Sequence, residues 1–150
     1  MATRVLFVCL GNICRSPTAE AVFAHHAEAQ GKPVVAESAG TSDWHVGDPP
    51  YVPAIRAAKA RGYGMGHLRG RQFTAADFAA FDLIIAMDAR NLARIEAIRP
   101  EGSATPVRLF LEAAGLEAGE VPDPYYTRDF EGALSLIERA ALGLLDRMED

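Results

Sequence analysis

Arg4-Val-Leu-Phe-Val8 runs without a break into Cys9-Leu-Gly-Asn-Ile-Cys-Arg-Ser16, and Pro17 follows directly. Val5 to Val8 is a continuous apolar run, the pattern of a strand covered on both faces. Ser16 reads as an N-cap and Pro17 as the first residue of a helix that runs to about Gln30, where Gly31 stops it. Between strand and helix lies a short loop holding a thiol, five residues and an arginine. Such a loop offers backbone N–H groups, the positive end of a helix and a planar guanidinium to one anion.

The rest of the chain repeats the alternation. Val34 to Ala39 forms a second strand ended by Gly40, and Thr41 to Pro50 is a polar loop rich in Gly and Pro. Pro53 to Arg61 is a short helix with Gly62 beyond it. Thr74-Ala-Ala-Asp77 resembles a capping box with Asp in place of Glu and opens another short helix. Leu83 to Met87 is a second strongly buried strand, a helix spans Asp88 to Arg99, and Val107 to Phe110 is a fourth strand. In the last helix Phe130, Ala133, Leu134, Ile137, Ala141, Leu144, Leu145 and Met148 share one face. Alternating strands and helices predict an α/β fold, a parallel sheet with helices on both faces. In such sheets ligands bind beyond the carboxyl ends of the strands, where the Cys9 loop lies. Residues 1–150, without repeat or linker, are expected to form one domain.

The composition, 49% hydrophobic and 23% charged, is that of an ordinary globular protein. A net charge of −5 argues against nucleic acid as a partner. No apolar run approaches the roughly 18–20 residues needed to span a bilayer, and the N-terminal run reads as a strand rather than a leader. A cytoplasmic protein without membrane contact is expected. The two cysteines, Cys9 and Cys14, lie on one loop, where they do not make a structural staple. They and the scattered histidines lack zinc-ligand spacing, so no metal or other cofactor is expected.

Gly11 permits backbone conformations closed to other residues, and Asn12 tolerates left-handed geometry. Arg15 can grip two phosphate oxygens, and the positive field of the loop favours Cys9 as thiolate. The predicted reaction is attack by Cys9 sulfur on phosphorus with no metal, Arg15 and the backbone stabilising the charge. Asp123, in Val121-Pro-Asp-Pro-Tyr-Tyr126, is the candidate general acid, held between prolines in a stiff extended loop. Trp44, Tyr125 and Tyr126 lie in polar, Pro-rich loops, a setting that favours exposed walls for a flat substrate over buried packing. Cys14 reads either as an inert packed thiol or as a redox partner that traps oxidised Cys9 in a reversible disulfide.

Val8 to Glu20 and Asp123-Pro-Tyr-Tyr126 resemble the two signatures of the low-molecular-weight protein tyrosine phosphatases. The similarity continues through Glu37-Ser-Ala-Gly-Thr41, Trp44, His67, Arg71-Gln72 and Asp82 to Asp88. The resemblance implies a four-stranded parallel sheet and Cys9 as nucleophile at the floor of a loop formed by Leu10, Gly11, Asn12, Ile13, Cys14 and Ser16. It implies Arg15 as phosphate clamp and Asp123 as acid and then base. It further implies that Asn12 is held by hydrogen bonds with Ser16, Ser38 and His67, and that Trp44, Tyr125 and Tyr126 sandwich the substrate ring.

The expected substrates are phosphotyrosine-containing proteins, and phosphate and similar oxyanions are expected to inhibit. A monomer is expected. Two rivals are weighed. A thiol-dependent arsenate reductase would use the same loop but needs a further cysteine pair, which this chain lacks. A phosphotyrosine-binding module would use Arg15 and the loop but has no need of Cys9 or Asp123.

Overall fold

The computed structural model describes residues 2–117 and 119–148. Four parallel strands, β1 (Thr3–Cys9), β2 (Val34–Gly40), β3 (Leu83–Ala86) and β4 (Val107–Leu109), lie in the order β2-β1-β3-β4. The helices are α1 (Arg15–Ala29), α2 (Val52–Ala60), α3 (Asp77–Ala80), α4 (Ala89–Ala97), α5 (Phe110–Ala113), α6 (Pro124–Thr127) and α7 (Phe130–Arg147).

The apolar run in β1 has the physical cause read from the sequence. Val5, Phe7 and Cys9 face one core, shared with α1, α2, α5 and α7. Leu6 and Val8 face a second core, shared with Phe73, Phe78, Phe81 and Ile95. Successive side chains of a strand alternate sides, so a strand between two helical layers must be apolar at every position. The chain leaves β1 toward β2 on one side, and β3 then joins β1 on the other. That reversal opens a crevice at the carboxyl end of β1, directly above Cys9.

Three local expectations are corrected. Helix α1 begins at Arg15, with Cys14 as N-cap and no side-chain cap. Ser16 is already inside the helix, because its hydroxyl is turned toward Cys9 and Asn12 instead of the helix end. Pro17 therefore sits in the first turn, where its missing N–H costs nothing. Residues after Asp123 are not extended: they coil into α6, with Asp123 as N-cap accepting from Tyr125 N at 3.1 Å. Phe110, expected to end the fourth strand, instead begins α5.

Among the described residues no helix is long and apolar enough to cross a membrane.

Candidate active site

The Cys9–Ser16 loop is held in shape from three sides. Asn12 takes φ 57, a left-handed conformation that strains most side chains. Its amide is fully used: Nδ2 donates to Ser16 Oγ (2.8 Å) and Ser38 Oγ (3.0 Å), and Oδ1 accepts from Arg71 N (3.0 Å). Ser38 in turn donates to Glu20 Oε1 at 2.7 Å. Burial raises the pKa of Glu20, against the hydrogen bond from Ser38, which lowers it. Behind the loop, β2 ends on Gly40, where an added Cβ would lie 2.9 Å from Leu10 O. Only glycine allows so close an approach of the two backbones.

His67 joins this network by no hydrogen bond; it lies near Glu20, on whose carboxylate its charge acts. It is exposed and forms no hydrogen bond among the described residues. The third hydrogen bond to the Asn12 amide comes instead from the backbone N–H of Arg71, and Glu20 reaches the loop only through Ser38.

Cys9 lies at the floor, 3% exposed, with its sulfur 3.0 Å from Ser16 Oγ and accepting from Asn12 N at 3.3 Å. Ser16 has one hydroxyl proton and two neighbouring acceptors, Cys9 Sγ and Ala39 O at 3.3 Å. A charged sulfur is the stronger acceptor and would take that proton. No protein acceptor among the described residues is hydrogen-bonded to the N–H of Gly11, Ile13 or Cys14. Unpaired amides on a curled loop are what an anion needs.

Arg15 is 3% exposed. Its Nη1 donates to Asp88 Oδ2 (2.7 Å) and Val121 O (3.0 Å), and its Nη2 reaches Asp123 Oδ2 at 3.4 Å. Burial works against the charge, but Cys9, Asp88 and Asp123 outweigh it and hold the pKa above the ordinary value. Asp88 serves two elements at once, since its Oδ1 accepts from Asn91 N and caps α4. Asp88 and Val121 hold Nη1, so the Nε–Nη2 edge, which Asp123 touches only at 3.4 Å, is the one that could grip an oxyanion in two parallel bonds.

The Asp123 segment is fixed by two backbone ties. Val121 N donates to Met87 O, one residue past the end of β3, and Val121 O accepts from Arg15. Glu120 accepts from Ala89 N, joining the segment to the start of α4. These contacts bring Asp123 to the same cavity as Cys9 and Arg15, a space of about 190 Å³ whose rim carries Trp44, His45, Tyr125 and Tyr126. Trp44 is 67%, Tyr125 43% and Tyr126 69% exposed, so these aromatics stand in solvent around the mouth. Tyr125 is backed by Tyr51, ring centroids 5.2 Å apart, and Tyr51 N donates to Ile13 O of the loop.

Cys14 is buried in the loop wall. Burial and the neighbouring Cys9 push its pKa up to about 12. Both cysteines are free thiols. Asp88, Glu20, Arg71, Tyr51 and His45 were given no role from the sequence, although Glu20, Arg71 and Asp88 lie in the stretches that carry the resemblance. All but His45, which pairs with Asp48 three residues on, act through a partner far away in the chain, and only Asp88, at the junction of a buried strand and a helix, carried a local signal.

Comparison with known proteins bears on this geometry. A family model described as low molecular weight phosphotyrosine protein phosphatase matches residues 4–150. The low molecular weight protein-tyrosine-phosphatase of Streptomyces coelicolor is 45% identical over 155 aligned residues, covering 97% of this chain and 93% of its own. The crystal structure of YfkJ from Bacillus subtilis superposes with a TM-score of 0.90 at 37% identity, covering 97% of this chain and 94% of that one. Wzb from Vibrio vulnificus, solved in complex with benzylphosphonate, gives a TM-score of 0.86 at 29% identity, covering 99% of this chain and 100% of its own.

Proposed function

Because the chain belongs to the low molecular weight phosphotyrosine protein phosphatases, we propose that residues 1–150 act as one phosphatase domain that hydrolyses phosphotyrosine in proteins through a cysteinyl-phosphate intermediate. The observation that carries the mechanism is the convergence of Cys9, Arg15 and Asp123 on one cavity beneath an aromatic rim.

In the first step Cys9 thiolate attacks phosphorus in line with the leaving oxygen. The free amides of the loop and the Nε–Nη2 edge of Arg15 hold the three non-bridging oxygens. The P–O bond to the tyrosine breaks as Asp123 gives its proton to that oxygen. In the second step Asp123 carboxylate takes a proton from water, which attacks the phosphorus, and inorganic phosphate leaves with Cys9 restored as thiolate. Ser16 O–H and Asn12 N–H both lie within hydrogen-bond reach of the sulfur.

The preference for tyrosine rests on the rim. A phenyl ring stacked between Trp44 and Tyr125 would set its phosphate at the depth of Cys9, whereas an alkyl phosphate leaves those exposed faces unused. The benzylphosphonate bound by Vibrio vulnificus Wzb is an aryl mimic in keeping with this reading. Phosphate and related oxyanions compete for the same cup. Dependence on a free thiolate also favours a reducing compartment such as the cytoplasm.

Hydrolysis of p-nitrophenyl phosphate and of phosphotyrosine peptides, unaffected by excess EDTA, tests the proposal. The rate should trace a bell against pH, since the mechanism uses a thiolate nucleophile together with a carboxylic acid. Phosphopeptide binding without turnover, or a requirement for added metal, would sink it.

We also propose Cys14 as the redox partner of Cys9. Peroxide converts Cys9 to the sulfenic acid; Cys14 thiolate then attacks that sulfur, forming the disulfide and releasing hydroxide. With the Cys14 pKa pushed up to about 12, the thiolate fraction is small at neutral pH and grows about tenfold per pH unit. Disulfide closure after a peroxide pulse should therefore speed up as pH rises. Cys14→Ser should recover less activity on thiol addition; recovery equal to the parent would end the protective role.

A further inference from the structure

Arg128 closes α6 with φ 62, one of two residues other than glycine with positive φ among those described. Asn12, the other, has three hydrogen bonds to account for its strain. Arg128 carries a long, charged side chain in a conformation that glycine adopts freely. Its guanidinium lies 5.3 Å from the Tyr51 ring centroid and 5.2 Å from that of Phe130. Nη1 donates to Tyr51 OH at 3.2 Å and to Tyr125 O at 3.3 Å. These contacts use one edge of the guanidinium. Nε and Nη2 have no acceptor among the described residues, and no carboxylate there pairs with Arg128.

The side chain is thus oriented by aromatic rings while its Nε–Nη2 edge, which takes a carboxylate side-on in two parallel bonds, stays open. It stands beside Tyr125, which lines the substrate cavity, and its charge acts on Cys14 in the wall of that cavity. A phosphotyrosine seated between Trp44 and Tyr125 would carry its polypeptide across this rim. We infer that Arg128 selects substrates, pairing through its open edge with an aspartate or glutamate that flanks the phosphotyrosine.

The assignment rests on the phosphotyrosine phosphatase reading above and gives that surface a sequence preference. In a protein of net charge −5, a cation fixed at the rim offers a local attraction that the molecule as a whole does not.

The test uses phosphotyrosine peptides in which glutamate or alanine occupies each of the three positions on either side. The readout is the ratio of kcat/KM for the glutamate peptide to that for the alanine peptide. The parent should favour glutamate at one or more positions by about fivefold, the range of an exposed charge-assisted pair, and the ratio should shrink as salt is raised. R128Q and R128G should bring it to about one, and R128K should keep part of it, holding the charge without the fork. R128G suits the left-handed backbone, so a change in its ratio does not reflect misfolding. If Arg128 only braced Tyr51 and Tyr125, both peptides would slow alike and the ratio would persist. A persistent ratio in R128Q and R128G, or no glutamate preference in the parent, overturns the assignment. Failure of the parent to hydrolyse p-nitrophenyl phosphate would instead strike the phosphatase reading beneath it.

Discussion

Replacing Cys9 by serine is expected to lower kcat for any aryl phosphate by roughly four orders of magnitude or more, the scale seen when a covalent nucleophile is removed. The substitution is close to isosteric, and the loop does not depend on sulfur for its shape. Asn12 remains tied to Ser16, Ser38 and Arg71 N, and Arg15 remains tied to Asp88 and Val121 O. A serine hydroxyl is a far weaker acid than a thiol, so the same hydrogen-bond donors cannot ionise it at neutral pH. Phosphate affinity should stay within a few-fold of the parent, because the amides and Arg15 do the binding. Steady-state assays paired with calorimetric titration of inorganic phosphate would measure both. A Cys9→Ser enzyme retaining a tenth of parental turnover would mean that water, not sulfur, attacks the phosphorus.

Asp123→Asn should separate substrates by leaving group. For phosphotyrosine, whose phenolate leaves poorly without a proton, kcat/KM should fall about 10²–10³-fold, in the range of general acid catalysis. For p-nitrophenyl phosphate, whose leaving group needs no proton, kcat/KM should fall much less. The second step also loses its base, so the cysteinyl-phosphate should accumulate and p-nitrophenol should appear as a burst of about one equivalent per enzyme. Asparagine can keep the cap on Tyr125 N and loses only the charge facing Arg15 Nη2. The loop should therefore stay in place. An equal fall for both substrates, with no burst, would move the acid role to another residue.

The two variants test different parts of one arrangement, and those parts were unequally visible in the sequence. The Cys9 loop was legible because everything that defines it is local: an apolar strand, a short turn with Gly11 and Asn12, and a helix behind. Asp123 was legible as a candidate general acid, but its place beside the loop came from resemblance, since 108 positions separate it from Arg15. Even local reading failed where a side chain had a better distant partner. Ser16 looked like a cap and instead faces Cys9 and Asn12; His67 was expected to bond Asn12, and Arg71 N makes that bond instead.

What the chain by itself determined was the buried double-faced strand, the anion-binding loop and the alternation that makes the sheet parallel. Each is a matter of periodicity or of backbone freedom within a few residues. The order β2-β1-β3-β4 was not among them, and it decides the site. By setting β3 beside β1, it brings Asp88 against Arg15 across 73 positions of sequence and draws Val121 and Asp123 after it. Strand order is set by which pair of helical layers buries the sheet best, a property of the whole molecule, and no short stretch of residues carries it.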